Sequence, residues 1–298
     1  MACRFEVILP DRSAPVLEDA RAALEAIESV EAQLSVFRES SDVARVNRTA
    51  GDRPIAVDAG LFAFFRTCEE LHAETEGAFD VTSTPLSRCW GFLQRQGRVP
   101  TTAERETALF AVGMSKVKLD PVARTIYFKT PGLELNFGAI GKGFALDAMA
   151  EALRRTGVRE ALLSAGSSSV LAVGGEWPVD LRSPQVTDRP LARLTLRRGA
   201  LGTSGAGEQF AVIDGRRYGH IIDPRTGWPS VGVLSASVVA DDGARADALA
   251  TAFFVGGTEL ARRYCEGHRN VLALITPDDA QRRPQVFGRY DGVRVDQV

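Results

Sequence analysis

"VKLDPVARTIYFK" (residues 117–129) decides between two kinds of fold. Apolar residues alternate with polar ones on both sides of a short turn, Val117 and Leu119 before it, Ile126 and Phe128 after it. A period of two marks a strand with one face inward, and so short a connection joins antiparallel neighbours as a hairpin. "FAVIDGRRYGHII" (210–222) repeats the arrangement around Asp214-Gly215. Hairpins accompanied by a few helices predict an α+β fold rather than a repeating βαβ wrap.

Working outward, "MACRFEVILP" reads as a first strand. Ser13 and Pro15 form a helix start, after which Val16, Ala20, Leu24, Ile27 and Leu34 recur at helical spacing. A second helix follows Asp58, with Leu61, Phe64, Phe65, Cys68 and Leu71 on its apolar side, and stops before Gly77. Further short strands are expected at 133–137, 161–165, 170–173, 191–196, 234–239 and 271–275. Helices are expected at 144–156, ended by Gly157, and at 244–257. No internal repeat or low-complexity linker interrupts this order.

The chain of 298 residues suffices for one large domain or two ordinary ones. With 45% hydrophobic and 25% charged residues and a formal net charge of -2, the balance favours neither nucleic acid nor an acidic membrane as partner. No apolar run approaches the roughly 18–20 residues that span a bilayer. The four cysteines contain no C-x-x-C pair, so neither a disulfide framework nor a zinc site is expected, and three histidines leave little for a His-rich metal centre. The N-terminus lacks a signal-peptide pattern, and the expected location is cytoplasmic, although a chain relieved of a leader would read the same.

Four segments carry candidate chemistry. "LNFGAIGKGFALDA" (135–148) runs from a strand through a glycine-rich turn into a helix. Backbone N–H groups at such a helix start suit phosphates, though the glycine spacing is neither a P-loop nor G-x-G-x-x-G. A phosphate cradle and a tight structural turn both remain open. In "RYGHIIDPRTGWP" (217–229), His220 suits a general base with Asp223 as its orienter or a ligand; equally, Asp223-Pro224 starts a turn that Thr226-Gly227 closes. "GAFDVTSTPLSRCWGF" (77–92) offers polar edges and Trp90 to a flat ring, or simply packs its aromatics inward. In "ARADALATAFFVGG" (244–257), Asp247 and Thr251 stand four apart and so share a helix face. Hard oxygen donors of this kind suit Mg²⁺, which takes few protein carboxylates and completes its shell with phosphate and water. The competing reading bonds Thr251 to its own helix and pairs Asp247 with Arg245 or Arg262.

In their order and wording these segments resemble the ApbE family, the FAD:protein FMN transferases. The resemblance rests on "LSVFRESSDVARVN", "EGAFDVTSTPL", "NFGAIGKGFALD", "GTSG", "HIIDPRTGWP" and "ADALATAFFVGG", and extends from about Phe5 to about Phe287. It implies an enzyme that binds FAD and, with Mg²⁺, moves the FMN half onto a Ser or Thr hydroxyl of an acceptor protein while AMP leaves. It assigns Asp247, Thr251 and the Ala139 carbonyl to the metal and Ala78, Phe79, Asp80, Asn136, Lys142 and Ile222 to the flavin nucleotide. His220 is the base that takes the acceptor proton. The implied architecture is one α+β domain over 1–298, a helical N-terminal wall (1–115) packed on largely antiparallel sheets carrying the metal side (116–298), with a flavin cleft between.

The sequence departs from the family pattern at Asn136, where Asp is usual. Ser167-Ser168-Ser169 stands where G-G-D/N is common, and Ala206-Gly207 replaces a polar–aromatic pair. Two alternatives share the same site: hydrolysis of FAD to FMN and AMP, and a flavin-binding protein with weak catalysis.

Overall fold

The computed structural model describes residues 3–10, 17–184, 190–207 and 209–297. The helix start expected at Ser13 and Pro15, and Val16 after it, lie outside the described residues. The described residues contain seven α-helices: α1 (Leu17–Leu34), α2 (Asp42–Thr49), α3 (Ala59–Glu74), α4 (Thr84–Cys89), α5 (Thr102–Phe110), α6 (Gly141–Arg155) and α7 (Gly243–Gly267). None is long and apolar enough to cross a membrane. The chain divides into two compact units. One comprises Met1–Val30, Gly138–Gly205 and Gly232–Val298; the other comprises Glu31–Phe137 and Ala206–Val231. Each therefore draws on distant parts of the chain, and neither boundary falls at residue 115.

The first unit is built on a seven-stranded sheet. Its strands, in spatial order, are Phe5–Ile8, Ala161–Ala165, Ser169–Val173, Gly199–Gly205, Val233–Ala240, Val271–Pro277 and Gln285–Arg289. All six pairings are antiparallel, as the hairpin pattern predicts. Successive side chains point to opposite faces. Leu163 and Leu171 accordingly meet Leu146, Met149 and Leu153 of α6, whereas Leu162 and Leu201 meet a second sheet through Leu194 and Leu196. That smaller sheet pairs Val293–Gln297, Pro190–Leu196 and Trp177–Arg182. With both faces covered, Val271–Pro277 is buried at every position. Each fully buried Leu or Met contributes about 1.5–3 kcal/mol relative to exposure.

Three glycines leave 199–205 without a strand pattern, yet it occupies the middle of the large sheet. The reason is spatial: a Cβ on Gly202 would lie 2.7 Å from the Ala246 carbonyl carbon of α7. A similar constraint joins α6 to α7, where a Cβ on Gly143 would fall 1.8 Å from the Gly243 carbonyl oxygen. α7 starts on Asp242, whose carboxylate accepts the Arg245 N–H at 2.7 Å. Its first segment ends at Gly257 as expected, where the backbone leaves helical geometry (φ 73°), and a second helical segment continues from that kink to Gly267. α6 begins at Gly141, one turn before the expected Phe144.

In the second unit, Asp58 caps α3 by accepting the Leu61 N–H at 2.9 Å, and Gly77 follows the helix with φ +74°. Phe64 and Phe65 of α3 pack on Phe137 at ring separations of 5.1 and 5.5 Å. Both expected hairpins form, Val117–Asp120 with Thr125–Phe128 and Phe210–Ile213 with Arg216–Gly219. The expected strand at 133–137 does not. Only Glu134 makes a bridge, to Ser83. Leu135 instead exchanges two hydrogen bonds with the Asn47 side chain, donating its N–H at 2.9 Å and accepting from Nδ2 at 3.0 Å. An amide side chain thus serves both backbone groups that a neighbouring strand would serve. Trp90, Leu86, Phe92 and Ile222 form a separate apolar cluster.

Candidate functional site

The first unit carries an oxygen-rich cluster around Asp247. Asp247 is only 6% exposed. Its Oδ2 accepts the Gly143 N–H at 2.7 Å, and its Oδ1 accepts the Ser169 hydroxyl at 2.7 Å. The carboxylate is therefore held from two sides, by the first turn of α6 and by a strand of the sheet. One turn further along α7, the Thr251 hydroxyl meets the Ser204 hydroxyl at 3.1 Å. Thr251 is thus not confined to bonding its own helix, and Arg262 turns away to Glu259 and Glu266. Ala139 is half-buried in the turn that immediately precedes α6.

The two helices exchange carboxylates. Asp147 of α6 accepts the Gly243 and Ala244 N–H groups at 2.7 and 2.9 Å, satisfying the start of α7, while Asp247 of α7 satisfies Gly143 near the start of α6. Burial pushes the Asp147 carboxyl up to about 7, and the Asp242 charge adds to the rise against the lowering effect of the two N–H bonds. Lys142, beside Gly143, donates to the Ser168 hydroxyl. Two of the three serines that depart from the family wording thus engage the lysine and the carboxylate of the site.

In the second unit, the side chains of Ala78 and Phe79 are buried. Asp80 has a 2% exposed side chain, and its carboxylate accepts the Thr82 N–H at 2.7 Å, the Thr82 hydroxyl at 2.5 Å and the Met114 N–H at 3.3 Å. His72 Nδ1 stands 3.2 Å from Asp80 Oδ2 and 3.1 Å from the Phe79 carbonyl. Burial works against the imidazolium, but the Asp80 hydrogen bond and charge outweigh it and raise the His72 pKa. Asn136 is half-buried, with its N–H donated to the Val81 carbonyl at 2.8 Å.

His220 follows the second hairpin, and its Nδ1 stands 2.9 Å from the Gln209 carbonyl. A carbonyl only accepts, so this contact places the proton on Nδ1 and leaves Nε2 as the basic nitrogen. Asp223 does not orient it. Both Asp223 oxygens receive Arg225 donors at 2.9 Å, and its backbone closes the turn with Thr226, Gly227 and Trp228. The turn packs against Trp90, whose Nε1 donates to the Gly227 carbonyl at 2.9 Å. The local side chain wins because Arg225 lies only two residues away. Ile222 packs its side chain into the Trp90 cluster.

Ser169, Asp147, Asn47 and His72 go unassigned in the sequence reading. Each acts through a partner distant in sequence or through a backbone group, so spacing carries no signal for it. The exception is Asn47, which ends the "VARVN" stretch used for the resemblance.

Comparison with known proteins gives one consistent answer. The pattern of the ApbE family matches residues 1–275. The FAD:protein FMN transferase of Treponema pallidum is 31% identical over 312 residues, covering 98% of this chain and 86% of that protein. The FAD:protein FMN transferase of Klebsiella pneumoniae is 31% identical over 235 residues, covering 78% and 74%. Among solved structures, the ApbE protein of Thermotoga maritima matches with a TM-score of 0.84 at 28% identity, over 97% of this chain and 93% of that one. The flavinyl transferase ApbE of Pseudomonas stutzeri, in its apo form, matches with a TM-score of 0.78 at 25% identity, over 98% and 94%.

Proposed function

Because this chain belongs to the ApbE family, we propose that it transfers the FMN moiety of FAD to a Ser or Thr hydroxyl of an acceptor protein with Mg²⁺ present, releasing AMP. It is a transferase whose substrates are FAD and an acceptor protein, and residues 1–298 work as one functional domain.

The observation that carries the reading is the Asp247–Thr251 pair. A carboxylate 6% exposed, with a hydroxyl one turn away and a helix start bonded to it, is an expensive arrangement for a helix that needs only to fill a core. Every side-chain donor there is a hard oxygen, from Asp247, Thr251, Ser169 and Ser204, and this chemistry fits Mg²⁺. Asp247, Thr251 and the Ala139 carbonyl would hold the ion, which when bound neutralises charge on the diphosphate of FAD.

The chain's own groups supply the rest. The N-terminal turn of α6 presents backbone N–H groups to phosphate, and Lys142 adds a positive point charge beside it. Backbone of 78–80, with Asn136 and Ile222, contacts the flavin nucleotide. His220 accepts the acceptor hydroxyl proton at Nε2. The hydroxyl oxygen forms a bond to the FMN phosphorus, the bond from that phosphorus to the bridging oxygen breaks, and AMP departs with the electron pair. Positioning and charge compensation dominate such transfers.

The test is incubation with FAD, Mg²⁺ and candidate acceptors, followed by intact mass and in-gel fluorescence under denaturing conditions. A covalent flavin adduct on the acceptor is expected. Tight FAD binding without any adduct across several acceptors would refute transfer, and AMP release without acceptor would mark a hydrolase instead.

A further inference from the structure

The first unit contains a cavity of about 700 Å³ lined by Arg154, Arg159 and Arg198 together with Asp241, Asn270 and Tyr290. Part of its wall is bare backbone. Gly157, Gly174 and Gly199 all line it with positive φ, at 88°, 66° and 84°. No side chain fits at two of these positions. A Cβ on Gly199 would fall 2.3 Å from the Tyr290 hydroxyl, and one on Gly174 would fall 2.3 Å from the Arg159 carbonyl oxygen.

The charges lining this hollow are unbalanced. Neighbouring arginines are neutralised, Arg155 by Glu151, Arg193 by Asp180 and Arg197 by Glu176. No carboxylate stands within ion-pair distance of Arg154, Arg159 or Arg198 among the described residues. The one acid in the lining, Asp241, is hydrogen-bonded to the Tyr290 hydroxyl. Three exposed arginines thus line this concave surface with a single, already engaged carboxylate. The planar guanidinium fork matches phosphate oxygens two at a time, and the volume lies within the range of small-molecule sites.

The lining includes Asp241, six residues before Asp247, but its arginine-bearing part lies at the far end of α6. Gly143 and Arg154 lie at opposite ends of α6, about 16 Å apart along its axis at 1.5 Å per residue. We propose that this cleft is a second anion site that binds a small phosphate-bearing molecule, either a phosphomonoester or free phosphate. It requires neither FAD nor Mg²⁺ and stands apart from the transferase reading.

Binding is measured by calorimetry and by the arginine side-chain NMR signals, on the full chain without FAD or Mg²⁺ at constant ionic strength. The probes are inorganic phosphate and ribose 5-phosphate. Saturable binding is expected, weakened at least tenfold in the Arg154→Gln/Arg198→Gln variant while its FAD binding, the check on folding, stays unchanged. Tighter binding of ribose 5-phosphate identifies a phosphomonoester, and equal affinity identifies free phosphate. Should the double variant lose FAD binding, Arg159→Gln takes its place with the same tenfold expectation. Three results overturn the proposal: non-saturating shifts that chloride reproduces, unchanged affinity in the folded variant, or a polyglutamate peptide that engages these arginines more tightly than both phosphates.

Discussion

Gly143→Ala strikes the joint between the two helices that carry the site. The new Cβ would stand 1.8 Å from the Gly243 carbonyl oxygen, 2.1 Å from its carbon and 2.7 Å from the Ala244 nitrogen. All three are backbone atoms, so no side chain can swing aside. To restore ordinary contact near ~3.4 Å, α6 and α7 must separate locally by about 1.5 Å. That movement would carry the Gly143 N–H, now 2.7 Å from Asp247 Oδ2, beyond hydrogen-bonding reach. Overpacking costs about 1–3 kcal/mol and the lost bond to a charged group about 1.5–3 kcal/mol, so a loss of about 2.5–6 kcal/mol is expected. Against a typical total of about 5–15 kcal/mol this is large. Denaturant unfolding followed by circular dichroism reads it directly. Gly267→Ala is the control, because it sits at the end of α7 with nothing within 4 Å of its Cβ and is expected to be neutral or to gain up to about 1 kcal/mol. A Gly143→Ala midpoint within about 0.5 kcal/mol of the parent would refute the close helix contact and the preorganised carboxylate that depends on it.

Ser169→Ala removes the donor to Asp247 Oδ1 and is expected to destabilise by about 1–3 kcal/mol and to shift Mn²⁺ affinity, both measurable without substrate. His220→Ala is expected to slow transfer by about 10²–10⁴-fold with FAD affinity unchanged in a fluorescence titration; parent-like turnover would remove its role as base. Asp147, with its carboxyl raised to about 7, binds a proton more tightly folded than unfolded. Stability should accordingly fall as pH rises from about 4 to about 7, and urea titrations of Asp147→Asn should show a smaller fall. His72, whose pKa is raised, contributes stability that is complete below its unfolded value and lost as pH rises through the folded one; in Asp80→Asn, NMR titration should find the pKa reduced from the parent's, because only the Phe79 carbonyl and Glu69 then oppose burial.

Much of this molecule was legible without coordinates wherever neighbours in space are neighbours in sequence. Helical geometry places Asp247 and Thr251 on one face, and the hairpins at 117–128 and 210–219 follow from alternation around a turn. The Asp58 cap and the inward face of α3 follow from local spacing too. Six quoted motifs in order sufficed to suggest the family that the comparisons establish.

Tertiary structure decided what those faces meet. Asp247 bonds residues 104 and 78 positions away, Gly143 and Ser169, and no local pattern announces either. Residues 133–137 carry strand-like residues but pair only through the Glu134–Ser83 bridge, while Asn47, 88 positions before Leu135, serves the Leu135 backbone groups. Conversely, 199–205 has no strand pattern and forms the middle strand, with α7 taking the space that Gly202 leaves. Asp223, a candidate orienter by sequence, closes its own turn with Arg225. Covalent geometry sets spacing within an element, so sequence alone determines which side chains share a face. Which distant groups meet that face depends on packing between elements, and that is settled only when the whole chain folds.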